Sequence, residues 1–549
     1  MIRRRLLLLL IAVCVAIVIA VPLVWTLAPG GWTPAKVVML ISYLCAAPWV
    51  GLCFANGLTG FIARLAGGDP EPPTAIANLP RTAIAVTVRN EDMTAVLPPL
   101  RTLLDELEAA GAGDSFALFI LSDTNDSAAV TAEEQAVEAF RAHHPVNYRR
   151  RANNEGFKAG NIMDFLDHHA GGFTVILVLD ADSRMSARAV LRLVTTMRDD
   201  PTLGIVQHLT VGLPASSAFP RFFQFGMRAG MRSWATAQAW WQGDEACYWG
   251  HNAVIRIAPF RAHCRLPLLP GGIPILSHDQ VEAALLSGAG WGVRLLAEED
   301  GSAEANPPAL PEFTYRELRW LAGNFQYRHL LGLPGLRTMG RWQLVQAIML
   351  FAGTPFYLVL FAAAAFAAAT DGTSPFPAGP ALAVTLAWSA ALYAPKWFGY
   401  LEILLQRDQR ERYGGTARFL AGMAAETMFT LLLDAITAVG KTIATAQIAL
   451  GRRAGWAPQN RADRGVTWGE AARLFWPQTL IGIIGFAGLA TSGWKAVLWG
   501  LPLAGGLLVS IPFCVLTASP ALGARCARWG LAAIPEEIGQ TRRRHSWRV

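Results

Sequence analysis

Residues 177–182, Leu-Val-Leu-Asp-Ala-Asp, pass straight from an apolar run into two carboxylates one residue apart. A buried parallel strand reads as a continuous hydrophobic run, and open α/β sheets bind ligands beyond the carboxyl ends of their strands. In extended backbone Asp180 and Asp182 would point to the same side, where two hard oxygen ligands suit Mg2+ on the phosphates of a nucleotide. A loop with two solvated acids is the plainer alternative. Two earlier apolar runs, 83–88 and 116–121, end likewise, at Arg89-Asn90-Glu91-Asp92 and at Ser122-Asp123-Thr124-Asn125-Asp126. One acid at a strand end is routinely a helix cap, but three such endings along one edge are hard to explain by capping alone. Between the second and third strands, Asn154-Glu155-Gly156-Phe157-Lys158-Ala159-Gly160-Asn161 offers glycines for close backbone approach and Lys158 as a point charge for phosphate.

Three further segments carry polar and aromatic groups: Tyr248-Trp249-Gly250-His251-Asn252, Ser277-His278-Asp279 and Arg316-Glu317-Leu318-Arg319-Trp320. On a helix Arg316, Arg319 and Trp320 share one face. Two guanidiniums beside an indole suit a diphosphate next to a sugar ring. The same residues could instead form a cation-π pair on a helix surface.

These segments fall in one block, residues 78–341, of a chain whose remainder is membrane-like. Of 549 residues 53% are hydrophobic and 16% charged, too apolar for an ordinary soluble enzyme. Residues 6–27, 37–62, 344–369, 381–404, 474–490 and 497–517 are apolar runs that can cross a hydrocarbon core of about 30 Å. Basic clusters at Arg3 to Arg5, Arg64, Arg149 to Arg151, 407–412, 452–464 and 542–544 assign their flanks to the cytoplasm, while loops 29–35 and 370–380 carry no Lys or Arg. The first run exceeds a signal-peptide core and is read as a retained anchor. Residues 417–450 place Glu426, Thr430, Asp434, Thr437 and Lys441 on one narrow arc. That stripe suits a helix lying in the interface, against the alternative of a span facing the bundle interior.

The domain reading is two N-terminal spans and linker (1–77), a catalytic block (78–341), a channel region (342–520) with interfacial helix 417–450 and cytoplasmic loop 451–473, and a cytoplasmic tail (521–549). The net charge of +7 is assigned mostly to juxtamembrane arginines meeting anionic headgroups. No basic patch with interleaved aromatics marks the soluble block, so nucleic acid is not an expected partner. The seven cysteines lack paired metal-like spacing and read as packing residues.

Taken in order, Asn90-Glu91-Asp92, Ser122-Asp123, Lys158-Ala159-Gly160-Asn161, Asp180-Ala181-Asp182, Ser277-His278-Asp279 and Arg316-x-x-Arg319-Trp320 resemble the processive inverting family-2 glycosyltransferases related to cellulose synthase. Within these, Tyr248-Trp249-Gly250-His251-Asn252-Ala253, Ile275-Leu276-Ser277-His278-Asp279, Thr467-Trp468-Gly469-Glu470-Ala471 and Ile534-Pro535-Glu536-Glu537 resemble the glucans biosynthesis glucosyltransferase H family. The resemblance implies a GT-A-like, mostly parallel α/β nucleotide-sugar transferase domain inserted in an α-helical multi-pass membrane domain. It implies an inverting hexosyltransferase of the bacterial inner membrane, its catalytic domain cytoplasmic, polymerising glucose from UDP-glucose into the β-glucan backbone of osmoregulated periplasmic glucans, coupled to export. Asp279 would be the general base and Asp180 and Asp182 would hold Mg2+, with Mn2+ as the alternative. Asn90, Glu91, Asp123, Lys158, Arg316 and Arg319 would bind the nucleotide sugar, and Trp320, Trp249 and His251 the acceptor, although His251 alone could equally be a structural histidine. The growing glucan, the lipid bilayer, periplasmic glucan-processing proteins and acyl carrier protein are the implied partners, and residues 456–470 an implied lid. Arg316 stands where the cellulose synthase pattern has Gln, Ser277-His278-Asp279 replaces Thr-Glu-Asp, and Arg89 replaces an aromatic. The rival readings are a synthase of another β-linked polysaccharide and a membrane transporter that senses UDP-sugar without turnover.

Overall fold

The structure, a computed structural model, describes residues 1–67, 76–370, 377–452 and 464–539. Part of the linker into the catalytic block, most of loop 370–380, the middle of loop 451–473 with most of the expected lid, and Arg542 to Arg544 lie outside the described residues.

Ten strands form the catalytic block: β1 (Thr82–Val88), β2 (Phe116–Ser122), β3 (Val146–Arg150), β4 (Val175–Asp180), β5 (Arg184–Met185), β6 (Leu203–His208), β7 (Val211–Gly212), β8 (Ala253–Arg256), β9 (Gly292–Leu296) and β10 (Ser302–Glu304). Seven of them build one sheet in the order β3-β2-β1-β4-β8-β6-β9, with β8 antiparallel to both neighbours and the other pairings parallel. Helices cover both faces, so β1 and β4 are buried on either side. Val86, Leu177 and Val190 meet in one core, and Ala85, Val178, Phe165 and Ile255 in the other. The shorter strands form a second sheet, β5-β10-β7, laid against the end of β4.

One expectation fails at the most informative residues. Strand β4 stops at Asp180, and the chain turns through Ala181 and Asp182, with Ser183 N–H donating to Asp180 O and Asp180 N–H donating to Ser183 Oγ, both at 3.0 Å. The two carboxylates are therefore placed by a turn and not by β-strand alternation, because Ser183 caps the strand before it can extend.

Helices Ile2–Leu27, Pro34–Ala66, Thr338–Thr370, Thr416–Ala449 and Trp468–Ala490 are each long and apolar enough to cross a membrane by length and composition. The pair Trp494–Leu508 and Ser510–Thr517 makes one more if its 58° bend is part of a single span. The run expected over 381–404 is broken at Tyr393 into Ala378–Leu392 and Ala394–Leu405, since Pro395 cannot donate into a continuous helix.

Helix Ala218–Gln242 joins the catalytic block to these helices. A Cβ at Gly60 would run into Ser233 O, and one at Gly399 into Ala229 O, so small residues bring the backbones together. Alternating charges then run through the joint. Arg64 pairs with Glu402 at 2.7 Å, Glu402 with Arg232 at 2.7 Å and Arg232 with Glu299 at 2.5 Å; Glu299 also pairs with Arg228, which holds Glu536 at 2.5 Å. The first residues dock nearby, with Arg4 donating to Trp240 O and Arg5 pairing with Glu245. Arg221 donates to Leu531 O at 2.7 Å and pairs with Glu537 at 2.6 Å.

Most of the polar arc of helix Thr416–Ala449 faces protein, only Asp434 staying exposed, which corrects part of the interfacial expectation. Glu426 is fully buried among Lys396, Thr430 and Tyr400, Asp434 accepts from Tyr393 at 2.8 Å, and Lys441 pairs with Glu317 at 3.0 Å. Of the basic cluster 149–151, Arg149 binds Asp164 and Asn161 and Arg151 binds Asp123, so these two charges are satisfied inside the catalytic block.

Candidate active site

The acids at the three strand ends divide into two kinds. Asp92 and Asp126 accept from Thr94 N–H and Ala129 N–H and cap the helices Met93–Ala109 and Ser127–Arg141. Asp123 instead lies buried beneath the loops, its two oxygens each 2.8 Å from the guanidinium of Arg151. Arg151 also donates to Glu155 O and Phe157 O, tying Asp123 to the loop that opens helix Phe157–His168. Asn90 adopts φ +54°, and its side-chain oxygen accepts from the N–H groups of Asn125 and Asp126, so it clips the first two strand-end loops together. Glu91 stands beside it, partly exposed.

Lys158, on the first turn of its helix, donates to Asp180 and to Gly250 O. Gly250, at φ +92°, lies against Asp279, where a Cβ would stand 3.4 Å from the Asp279 Cβ. One glycine thus separates the lysine of the phosphate side from the proposed base. Asp279 starts the helix Asp279–Gly288. Burial raises its carboxyl above the ordinary range, His278 pulls it back down, and Glu282 pushes it up again. His278 is paired to Glu282 at 3.0 Å and, although burial opposes this, the Glu282 and Asp279 charges hold its imidazole above the usual value.

His251 Nε2 lies 3.3 Å from Glu304 on β10, and its Nδ1 lies 3.2 Å from Asn252 Oδ1. Asn252 is buried at φ +50° and donates to Ser302 Oγ at 2.8 Å. Burial raises the Glu304 carboxyl and His251 lowers it; the Asp182 and Asp180 charges raise it and Arg316 lowers it. Strand β10 pairs with β5, which follows the Asp180–Ser183 turn, so Glu304 stands at the same edge as the two aspartates. Glu304 belongs to no segment that stands out by residue type, the alternating Ser302-Ala303-Glu304 being the available signal, and Arg151 stood out only within the basic triplet 149–151, not as a partner of Asp123.

Helix Leu310–Gln326 forms the far wall. The guanidinium of Arg316 sits over Trp320, Phe313 and Phe223 at 4.6, 5.4 and 5.5 Å, so the cation-π alternative describes its packing. By helical spacing Arg319 and Trp320 lie on that face, and Trp320 is 42% exposed. Trp249 packs partly into the core behind the site, its N–H donating to Gln207 at 2.9 Å.

Among the described residues no three His, Cys, Asp or Glu side chains form a ready-made metal cage. The donor set, Asp180 and Asp182 at one turn with Glu304 near, fits a hard divalent cation that completes its shell with phosphate oxygens.

A seven-stranded, mostly parallel sheet with an Asp-x-Asp turn at its carboxyl edge defines a GT-A-like nucleotide-sugar transferase domain. Family models agree: glycosyl transferase family 2 matches residues 83–264 and glycosyl transferase family group 2 matches 175–398. The chain belongs to the glucans biosynthesis glucosyltransferase H family. It is 34% identical to that protein of Vibrio cholerae over 93% of this chain and 74% of the relative, and 31% identical to that of Xylella fastidiosa over 94% and 85%. A mannosyltransferase from Pyrobaculum calidifontis, solved with GDP-Man and Mn2+, overlaps with TM-score 0.45 and 16% identity over 67% of this chain and 99% of its own.

Proposed function

We propose that the chain is an inverting glucosyltransferase that transfers glucose from UDP-glucose to the growing β-glucan backbone of osmoregulated periplasmic glucans. Its catalytic block faces the cytoplasm, and the product leaves through the helical bundle of the inner membrane. The observation that carries this reading is the contact series Asp180, Lys158, Gly250, Asp279, which sets a base next to a phosphate-binding edge.

Asp279 takes the proton of the acceptor hydroxyl as that oxygen attacks the anomeric carbon from the face opposite the diphosphate, turning an α-linked donor into a β-linked product. Its raised affinity for a proton suits that task. Asp182 and Asp180 would hold Mg2+ or Mn2+, which when bound offsets charge on the leaving UDP. Lys158 and Arg319 add positive charge on that side, and Asn90, Glu91 and Asp123 shape the nucleoside end. Asp123 acts there through the loops it fixes.

Helix Thr416–Ala449 is proposed to lie along the membrane surface. It touches the catalytic block at Gly226, against Glu426, and again at Glu317, against Lys441, fifteen residues or about 22 Å further along. A crossing helix would leave that surface within a turn or two.

Protein in lipid nanodiscs, given UDP-glucose with Mg2+ or Mn2+, should release UDP and form β-linked glucan by linkage analysis. Turnover of a different nucleotide sugar would move the reading to another polymer. UDP-glucose binding without turnover would replace it with the sensor reading.

A further inference from the structure

We infer that Gln207 and Arg5 are positioning residues of the transfer reaction: from opposite ends they hold the backbone of residues 245–250, which carries Gly250 between Lys158 and Asp279. The inference rests on the transferase reading above. Residues 247–250 belong to no helix or strand, so their backbone groups must find partners elsewhere. Side chains supply most of them. Gln207, fully buried on β6, donates to Cys247 O at 2.5 Å and accepts from Trp249 N–H at 2.9 Å. One amide thus does for this stretch what a neighbouring strand does for β8, which joins β6 only from Ala253 onward. Lys158 takes up the last carbonyl, donating to Gly250 O at 2.7 Å.

The other end is set from the head of helix Ile2–Leu27. Arg5 donates to Trp241 O and Gln242 O, each at 3.3 Å, and pairs with Glu245 at 2.5 Å. It therefore ties the last carbonyls of helix Ala218–Gln242 to the residue that opens the stretch. Gln242 in turn accepts from Cys247 N–H at 3.3 Å, and Gln343, on the first part of helix Thr338–Thr370, donates to Glu245 O at 2.6 Å. The chain between turns through Gly243, at φ +61°, where a Cβ would stand 2.8 Å from Met1 Cε. Hydrogen bonds thus run from Arg5 through Gln242, Cys247 and Gln207 to Trp249, and the next residue is the glycine against Asp279. A shift of the stretch moves Gly250 out of the gap between lysine and base. Lys158 keeps Asp180 as a partner, so the donor side holds while the base loses its neighbour.

The test uses full-length protein in nanodiscs and reads kcat with UDP-glucose, UDP affinity, and hydrogen–deuterium exchange of the peptide covering 244–252. Gln207→Met keeps the length of the side chain but removes both hydrogen bonds. Arg5→Gln changes a partly exposed side chain and serves where the buried substitution does not fold. We expect kcat to fall at least about tenfold in Gln207→Met and about threefold in Arg5→Gln, with UDP affinity within about twofold of wild type. Exchange across 244–252 should quicken at wild-type melting temperature. Arg5→Lys, which keeps a charge for Glu245, should recover part of the loss. Unchanged kcat in either variant that folds would overturn the inference, as would faster exchange spread evenly over the protein or an equal fall in UDP affinity. Absence of UDP-glucose turnover by the wild-type protein would instead defeat the transferase reading.

Discussion

Asp279 is half-buried, starts a helix and has a carboxylate three residues on, and these circumstances set its chemistry. Asp279→Asn preserves shape without accepting a proton, so transfer should fall by about a hundredfold or more while UDP binding persists, as measured by UDP release and calorimetry. The pH profile follows from the direction of the shift. Activity needs the ionised base, whose proton affinity is raised, so the acid limb of kcat/KM should lie above the ordinary carboxylate range. The positive His278 now holds that limb down. His278→Gln should move it to higher pH, and a limb that stays put would separate His278 from the base. At this scale the sequence marked Asp123, Asp180 and Asp182 by where apolar runs end, Lys158 by the glycines around it, and Asp279 through the Ser277-His278-Asp279 segment that carries the family resemblance. It could not mark Arg151 and Glu304, whose roles arise from partners 28 and 53 residues away.

Element by element, β1, β2 and β4 of the seven-stranded sheet were legible because continuous apolar runs bounded by acids have few other readings, whereas β3, β6 and β8 carry no such ending. The turn at Asp180 was not, since it depends on one serine hydroxyl returning to the strand. The break at Tyr393 was passed over although Pro395 signals it, because the run was read by its hydropathy alone. Helix Leu310–Gln326 offers a test of positioning. Replacing a helix-interior glycine by alanine ordinarily stabilises by about 0.5–1 kcal/mol. Gly323→Ala should do the reverse for function, because the methyl group must displace Ser277 and with it the neighbouring His278 and Asp279. A displacement of about 1 Å costs on the order of a hundredfold in rate. Comparing kcat with melting temperature for this variant separates misplacement from unfolding.

In the whole molecule, the ladder Arg64, Glu402, Arg232, Glu299, Arg228, Glu536 is the feature composition could not suggest, since an arginine count cannot separate headgroup contacts from buried pairs. Burial opposes the ionised form of Glu299, yet Arg228 and Arg232 outweigh it and hold the carboxyl down at about 2. Its contribution to stability is thus present above the ordinary value of 4.5 and is lost as pH falls towards 2. Glu402→Gln leaves Arg232 and Arg64 facing an uncharged amide in a buried joint, and should cost about 3–5 kcal/mol, read as a lower melting temperature in nanodiscs. Added salt should restore little of it, because buried pairs are weakly screened.

The docking of residues at both ends of the described chain carries a consequence of pure counting. Arg4 and Arg5 rest on the catalytic block at Trp240 and Glu245, and Glu536 and Glu537 rest on the same block at Arg228 and Arg221. A path that begins and ends on one side of a sheet pierces it an even number of times. On the proposed topology, in which Thr416–Ala449 lies along the surface, Ile2–Leu27, Pro34–Ala66, Thr338–Thr370, the run beginning at Ala378, Trp468–Ala490 and the bent pair ending at Thr517 are the six passages, of which the Ala378 run does not qualify by helix length alone. Were Thr416–Ala449 a seventh, the tally would turn odd and Glu536 would stand across the bilayer from the arginine it holds.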